Sequence, residues 1–195
     1  MWRKRLLTAI VLLTTAYSIT RSAPTINSNQ LDVRVIGTLK IGNQDVPVKQ
    51  AGSWIDSKVN SETEFAIGLG NALLHMSERT GYEFCGQLCT LNGRWGARII
   101  TIESGRACPK LDICPGNQWK PSGTYLHSHR PTGGYQLGSQ DSPLRVGQNV
   151  GDTVILATNR PSDEDLKEGG WLVEGRHLWH IVNGQAKIIH EYDVN

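Results

Sequence analysis

Gly123-Thr124-Tyr125-Leu126-His127-Ser128-His129 is the stretch on which the reading of this chain turns. An apolar, β-branched run leads into two histidines one residue apart. Successive side chains of a strand point to opposite faces, so His127 and His129 share one face. Two imidazoles side by side suit a single metal ion. Neutral imidazole is a zinc ligand, and a catalytic zinc takes three protein ligands and keeps one position open. The third ligand, a general base and a cellular address then have to come from the rest of the sequence.

Upstream, the signals are those of strands and one helix. Leu31 to Ile41 is rich in β-branched residues, and Gly42-Asn43 offers a turn into Val46-Pro47-Val48, a short hairpin in which Pro47 predicts an edge strand. Ser61 is a good helix N-cap, with Glu62 and Glu64 in the first turn where the helix dipole favours acid. Phe65, Ile67, Leu69, Ala72, Leu73 and Met76 continue an amphipathic helix to about Thr80, and Gly81 is a natural stop. Gly68 and Gly70 oppose it by about 1 kcal/mol each relative to Ala. Residues 82–90 and 95–104 then read as two strands joined at Asn92-Gly93, a hairpin turn signal.

Downstream, residues 105–122 form a cysteine-bearing loop before the histidine strand. Residues 130–160 read as a long insertion with one short strand near Thr153 to Ala157, and such insertions are often functional. Ser162 is a candidate cap for a short helix. Gly170 to Val173, His177 to Val182 and Lys187 to Glu191 close the chain as strands joined by Gly-containing turns. The pattern is α+β, a mainly antiparallel sheet flanked by helices.

The 195 residues, 38% hydrophobic, suffice for one domain with a proper core, taken as 31–195. Balanced charge, +2 overall, leaves no nucleic-acid footprint. Residues 1–18 join a basic start, Arg3-Lys4-Arg5, to an apolar run and a small-x-small end at Ala16-Tyr17-Ser18, the pattern of a secretory signal peptide. The run is short for a bilayer span, so membrane contact is expected only through this segment during export. Its removal takes away three of 20 basic residues and leaves 17 against 18 acidic ones, net −1. Residues 19–30 are polar and aperiodic, a flexible mature N-terminus. The expected location is secreted or periplasmic.

Export makes Cys85, Cys89, Cys108 and Cys114 candidates for disulfides, with three full pairings. Cys85 and Cys89 sit roughly 13 Å apart on a predicted strand, too far to bridge unless it bends. Cys108 and Cys114 flank a short loop, each followed by a proline, and are the first choice for a pair. A four-cysteine zinc site lacks the usual pair of C-x2-C knuckles.

Downstream acids that could complete the histidine site are Asp141, Asp152, Asp163, Glu164 and Asp165, and separation alone does not choose among them. Three motifs together resemble the JAMM signature of the JAB/MPN metalloprotease family. Glu83-Phe84-Cys85-Gly86 is similar to its Glu-x-Cys-Gly strand, His127-Ser128-His129 to its His-Ser/Thr-His, and Ser162-Asp163-Glu164-Asp165 to its Ser-x-x-Asp. The resemblance covers roughly residues 60–190 and includes the hairpin from Trp171 to Ile181. It implies a JAB1/MPN-like fold, zinc (Zn2+) held by His127, His129 and Asp165, and Glu83 as the base that orients and deprotonates the attacking water. It implies Ser162 as donor to the oxyanion, and hydrolysis of a peptide or isopeptide bond in a protein or peptide substrate.

In most members the Ser-x-x-Asp follows the second histidine closely, whereas here the long segment from Arg130 intervenes. Ser139-Gln140-Asp141 lies nearer but has the wrong register, so Asp141 is the fallback metal ligand. The helix-start context of Ser162 and the hairpin after it favour Asp165.

Blander roles stand beside these. Glu83 reads alternatively as a surface acid, with Glu103 across the hairpin as rival base. Cys85 reads as a packed thiol rather than a nucleophile. His177, His180 and His190 read as strand histidines, His75 as a helix-surface one, and Tyr135 as a loop residue within reach of a substrate. Two other functions compete: a non-catalytic JAB-like module binding an envelope or toxin partner, and a peptidoglycan-peptide hydrolase of lysostaphin type. The latter needs an upstream His-x-x-x-Asp, which His75 does not begin.

Overall fold

A strand periodicity builds one sheet and a helical periodicity covers one of its faces. In the computed structural model, residues 33–130, 133–138, 141, 147–156 and 160–193 are described. The signal peptide and the N-terminal segment expected over 1–30 lie outside them, as do Ser139 and Gln140. Strands β1 (Arg34–Ile41) and β2 (Gln44–Asp56) precede helix α1 (Glu62–Thr80). Strands β3 (Cys85–Leu91), β4 (Arg94–Thr101), β5 (Lys120–Ser128), β6 (Gly133–Gln136) and β7 (Thr153–Leu156) follow. Helix α2 (Asp163–Glu168) leads into β8 (Gly170–Glu174), β9 (His177–Val182) and β10 (Gln185–Glu191).

Eight strands form one sheet in the order β1-β2-β4-β3-β5-β8-β9-β10. Every neighbouring pair is antiparallel except β5 and β8, which run parallel through Leu126↔Trp171, His127↔Leu172 and Ser128↔Val173. The fold is therefore α+β with a mostly antiparallel sheet, as the sequence predicts, and two helices among the described residues. None of these helices is long and apolar enough to cross a membrane.

Helix α1 forms as its sequence signals predict. The Ser61 side chain accepts from the Glu64 N–H, and Gly81, at φ 73°, donates its N–H to the Ser77 carbonyl. Phe65, Leu69, Leu73 and Met76 are buried against Leu88, Ala97, Ile99 and Leu126 on one sheet face. Each fully buried side chain of this size is worth roughly 1.5–3 kcal/mol, which outweighs the cost of two helical glycines. Gly70 has a packing reason as well: a Cβ there would collide with the Tyr192 hydroxyl and press on Val173 Cγ2 at 3.1 Å, so its absence lets α1 settle against Tyr192 and β8.

The other sheet face is covered by α2 near His127 and His129 and, beyond it, by chain without regular structure. Cys85 and Cys89 share that face, and the loop between β4 and β5 folds back over it. Two disulfides result, Cys85–Cys108 and Cys89–Cys114, each with Cα atoms 5.9 Å apart. The expected Cys108–Cys114 pair does not form. Each loop cysteine meets a different strand cysteine because the loop runs along β3 instead of closing on itself. Cys85 is accordingly neither a packed thiol nor a nucleophile.

Two further expectations are revised. Pro47 lies in β2, an internal strand, paired with Thr38 of β1. Pairing of β2 with β4 begins only at Lys49, so the proline's other side is locally an edge. Among its described residues the insertion holds two strands, not one: Gly133–Gln136 pairs with Thr153–Leu156 in a small separate sheet. Its Gly-rich first strand carries little β signal.

Candidate metal centre

Strand alternation along β5 sets the first two donors. Ser128 faces α1, where its Oγ lies 2.6 Å from Ser77 Oγ and accepts from the Phe84 N–H. His127 and His129 therefore face the opposite way, toward the disulfide-bound loop. Beyond the end of β5, the His129 N–H donates to the Val173 carbonyl at 2.9 Å, prolonging the run along β8. The two imidazole centres are 5.2 Å apart.

Asp165 arrives on α2, and the same four residues that suggest a metal motif also start the helix. Ser162 caps it, with its Oγ accepting from the Asp165 N–H at 3.2 Å. Asp165 Oδ2 in turn accepts from Ser162 N at 2.7 Å and Ser162 Oγ at 2.6 Å, a reciprocal capping box. This box turns the carboxylate toward the histidines. Asp165 Oδ1 is 3.0 Å from His127 Nε2, and Oδ2 is 3.5 Å from His129 Nε2. One ligand atom from each of the three residues lies within 4.8 Å of the others. Two imidazole nitrogens and one carboxylate oxygen, converging on a cleft, are a donor set that fits a divalent ion with a position left open.

The sequence-predicted base is beside them. Glu83 sits just before β3, its N–H donating to the Ser104 carbonyl and its C=O accepting from Thr101 Oγ1. It is 7% exposed and lines the same cleft as His127, His129 and Asp165. Burial pushes its carboxyl up to about 7; the positive field of His129 opposes this and the charges of Asp165, Glu174 and Asp141 add to it.

The other site groups respond to their partners in different ways. Burial lowers the affinity of His127 for a proton. Burial also disfavours the His129 cation, but hydrogen bonds to Asp165 and Glu174 outweigh it and hold His129 well above the ordinary histidine value. Burial would raise Asp165, yet its bonds to His127, His129 and Ser162 hold it far below the usual carboxylate range.

Glu174 is the residue that sequence reading missed. It ends β8 with a side chain 1% exposed, and its Oε2 is hydrogen-bonded to His129 Nδ1. In the sequence it falls between the strands Gly170 to Val173 and His177 to Val182, beside Gly175, where a turn is expected. The available signal was alternation: Trp171 and Val173 pack toward α1, which sends Leu172 and Glu174 to the histidine face.

Other candidates serve elsewhere. Among the described residues Asp141 is outside the ligand group, and the fallback is not needed to assemble three donors. Its buried carboxylate accepts from Ser104 Oγ, the Tyr135 hydroxyl and the Gly138 N–H, tying the insertion to the loop that follows β4. Tyr135 is thereby engaged within the fold. Glu103 is paired with Lys49 at 2.5 Å. His75 is exposed beside Glu78, and His180 stacks on Trp171.

The cleft has a volume of about 340 Å³. His127, His129 and Glu83 lie in its floor, the Arg106–Lys110 segment forms one wall and α2 the other. Lys110 crosses between the walls to Glu168 at 2.7 Å, and its ammonium lies 5.7 Å from the Tyr125 ring centre. Compared with known proteins, the chain matches no family model, no curated protein and no solved structure.

Proposed function

We propose that this chain is an exported, zinc-dependent peptidase of JAMM type that hydrolyses a peptide or isopeptide bond. The observation that carries the proposal is the convergence of His127, His129 and Asp165 within 4.8 Å beside the buried Glu83, all opening onto one cleft. The eight-stranded sheet is larger, and the helices fewer, than the JAB/MPN resemblance implies. The reading therefore rests on the site rather than on the fold.

His127, His129 and Asp165 would hold the zinc. Bound there, zinc supplies Lewis acidity toward a substrate carbonyl and makes a water easier to deprotonate. Glu83 takes the proton from the attacking water and returns it to the departing amine. Its place in the cleft beside the three ligands, shielded from solvent, suits both halves of that task. Ser162 donates to the developing oxyanion. In the resting site its hydroxyl proton goes to Asp165 Oδ2, so this role requires the hydroxyl to turn while its oxygen keeps the helix cap. The two disulfides fit an oxidising compartment, and with the signal-like start of the sequence they support a secreted or periplasmic protein.

The test is elemental analysis of the exported protein, followed by incubation with a peptide library read by mass spectrometry. About one zinc per chain is expected, lost on His127→Ala or Asp165→Ala, as befits three protein ligands. Glu83→Gln is expected to keep zinc and lose cleavage. A wild-type protein without metal would end the catalytic reading. Metal without cleavage of any peptide would favour a binding module.

A further inference from the structure

We infer that Glu174 is a positioning residue of the metal centre: its carboxylate grips the Nδ1 side of His129, so that Nε2 is turned toward His127 and Asp165. The inference rests on the metal-binding reading above and adds a residue that the JAMM resemblance does not supply.

Three observations carry it. First, the contacts of His129 divide between its two ring nitrogens. Nδ1 meets Glu174 Oε2, whereas Nε2 faces Asp165 Oδ2 at 3.5 Å. A ring nitrogen that donates to a carboxylate carries the proton, which leaves the other nitrogen's lone pair for an ion. Second, Glu174 is 1% exposed at the end of a strand whose neighbours Trp171, Leu172 and Val173 are all buried and apolar. A carboxylate in such a place is costly unless partnered, and the imidazole is a partner. Third, the support is independent of the other wall. Glu174 comes from β8, whose Val173 carbonyl also accepts from the His129 N–H. Strand β8 thus holds His129 by backbone and by ring, while α2 holds Asp165.

Glu174 is not itself assigned as a ligand, since it lies against Nδ1 while the convergent donors face Nε2. Its expected effect is on the orientation and basicity of His129. Loss of a partner of this kind typically weakens metal binding about 10–100-fold.

The experiment compares zinc affinity, by competition with a chelator, in the full exported chain and in its Glu174→Gln and Glu174→Leu variants. Thermal unfolding of the metal-free proteins is measured alongside. Gln keeps an acceptor oxygen and Leu does not, so the expected affinity order is wild type, then Gln, then Leu, with the Leu variant down about 100-fold. Both variants are expected to unfold at a lower temperature, because each removes one partner of a buried pair, so affinities are compared under conditions where each variant is folded. A second readout needs no variant: ring 15N shifts of the zinc-loaded wild type should show His129 protonated at Nδ1 and metallated at Nε2.

Unchanged zinc affinity in folded variants, or metal on Nδ1, overturns the positioning role and leaves the metal centre standing. A wild type that binds no zinc overturns both. If neither variant folds, the ring shifts decide.

Discussion

Cys85 and His127 face each other directly across strands β3 and β5. The first is disulfide-bonded to Cys108 and the second is a candidate metal ligand. The covalent anchor of one cleft wall is therefore in register with the metal floor, and changes at one should be felt at the other.

Replacing Cys85 and Cys108 by serine is expected to cost roughly 3 kcal/mol, from the entropy of the unfolded chain that the cross-link removes. Urea unfolding of the oxidised double variant and of wild type, at equal protein concentration, measures it. Zinc affinity should fall with stability, because the loop that covers His127 loses its nearer anchor. Equal unfolding midpoints would contradict this account.

Ser162→Ala is expected to reduce stability by about 1 kcal/mol through loss of the α2 cap. It should also weaken zinc binding, since the capping box aims the Asp165 carboxylate. Ser162→Thr should recover both properties. Chemical unfolding and chelator competition on the same samples separate the outcomes. Full zinc affinity in Ser162→Ala would show that the box does not orient Asp165.

For the metal-free protein, Glu83 gives a pH dependence with a definite sign. Its folded-state value, raised by burial from 4.5 to about 7, exceeds its unfolded value. The folded state then holds more protons between those values, so Glu83 contributes stability below about 4.5 that is lost as pH rises through about 7. The loss is on the order of 3 kcal/mol. Glu83→Gln should flatten the unfolding free energy over that window and stabilise the metal-free protein above it. A variant with the wild-type slope would assign the dependence elsewhere.

Gly170→Ala tests the join between the histidine strand and the rest of the site. Gly170 has φ +101°, and a Cβ there would meet the Tyr125 carbonyl oxygen at 2.7 Å. The unfavourable dihedral alone costs roughly 1–3 kcal/mol, and the close approach adds to it. Thermal unfolding should show the loss, and zinc affinity should drop as β8 moves away from β5. Wild-type values for both would mean that the two strands tolerate separation.

The site features legible in sequence are those carried by short-range rules. Alternation puts His127 and His129 on one face, and a helix start at Ser162 brings Asp165 with it. Both survive the long segment between them because a strand face and a capping box are set locally. The disulfide partners were not legible, since they depend on which sheet face a loop without regular structure lies against. Glu174 was hidden for a related reason. Its burial comes from the parallel pairing of β5 with β8, between segments far apart in the chain. The large sheet follows from strands that were mostly visible, but their order, with β3 between β4 and β5, reflects long-range pairing.

The two walls of the cleft differ in mechanical kind. The loop wall is tied to β3 by a covalent bond, Cys108 to Cys85, and the same loop is bonded to β3 again outside the cleft, Cys114 to Cys89. The opposite wall, α2, is a six-residue helix held by hydrogen bonds and the Lys110–Glu168 ion pair. Of the two walls, α2 is therefore the one whose movement breaks no covalent bond. Because Asp165 rides on that helix, widening the cleft and loosening the grip on a metal are one and the same displacement.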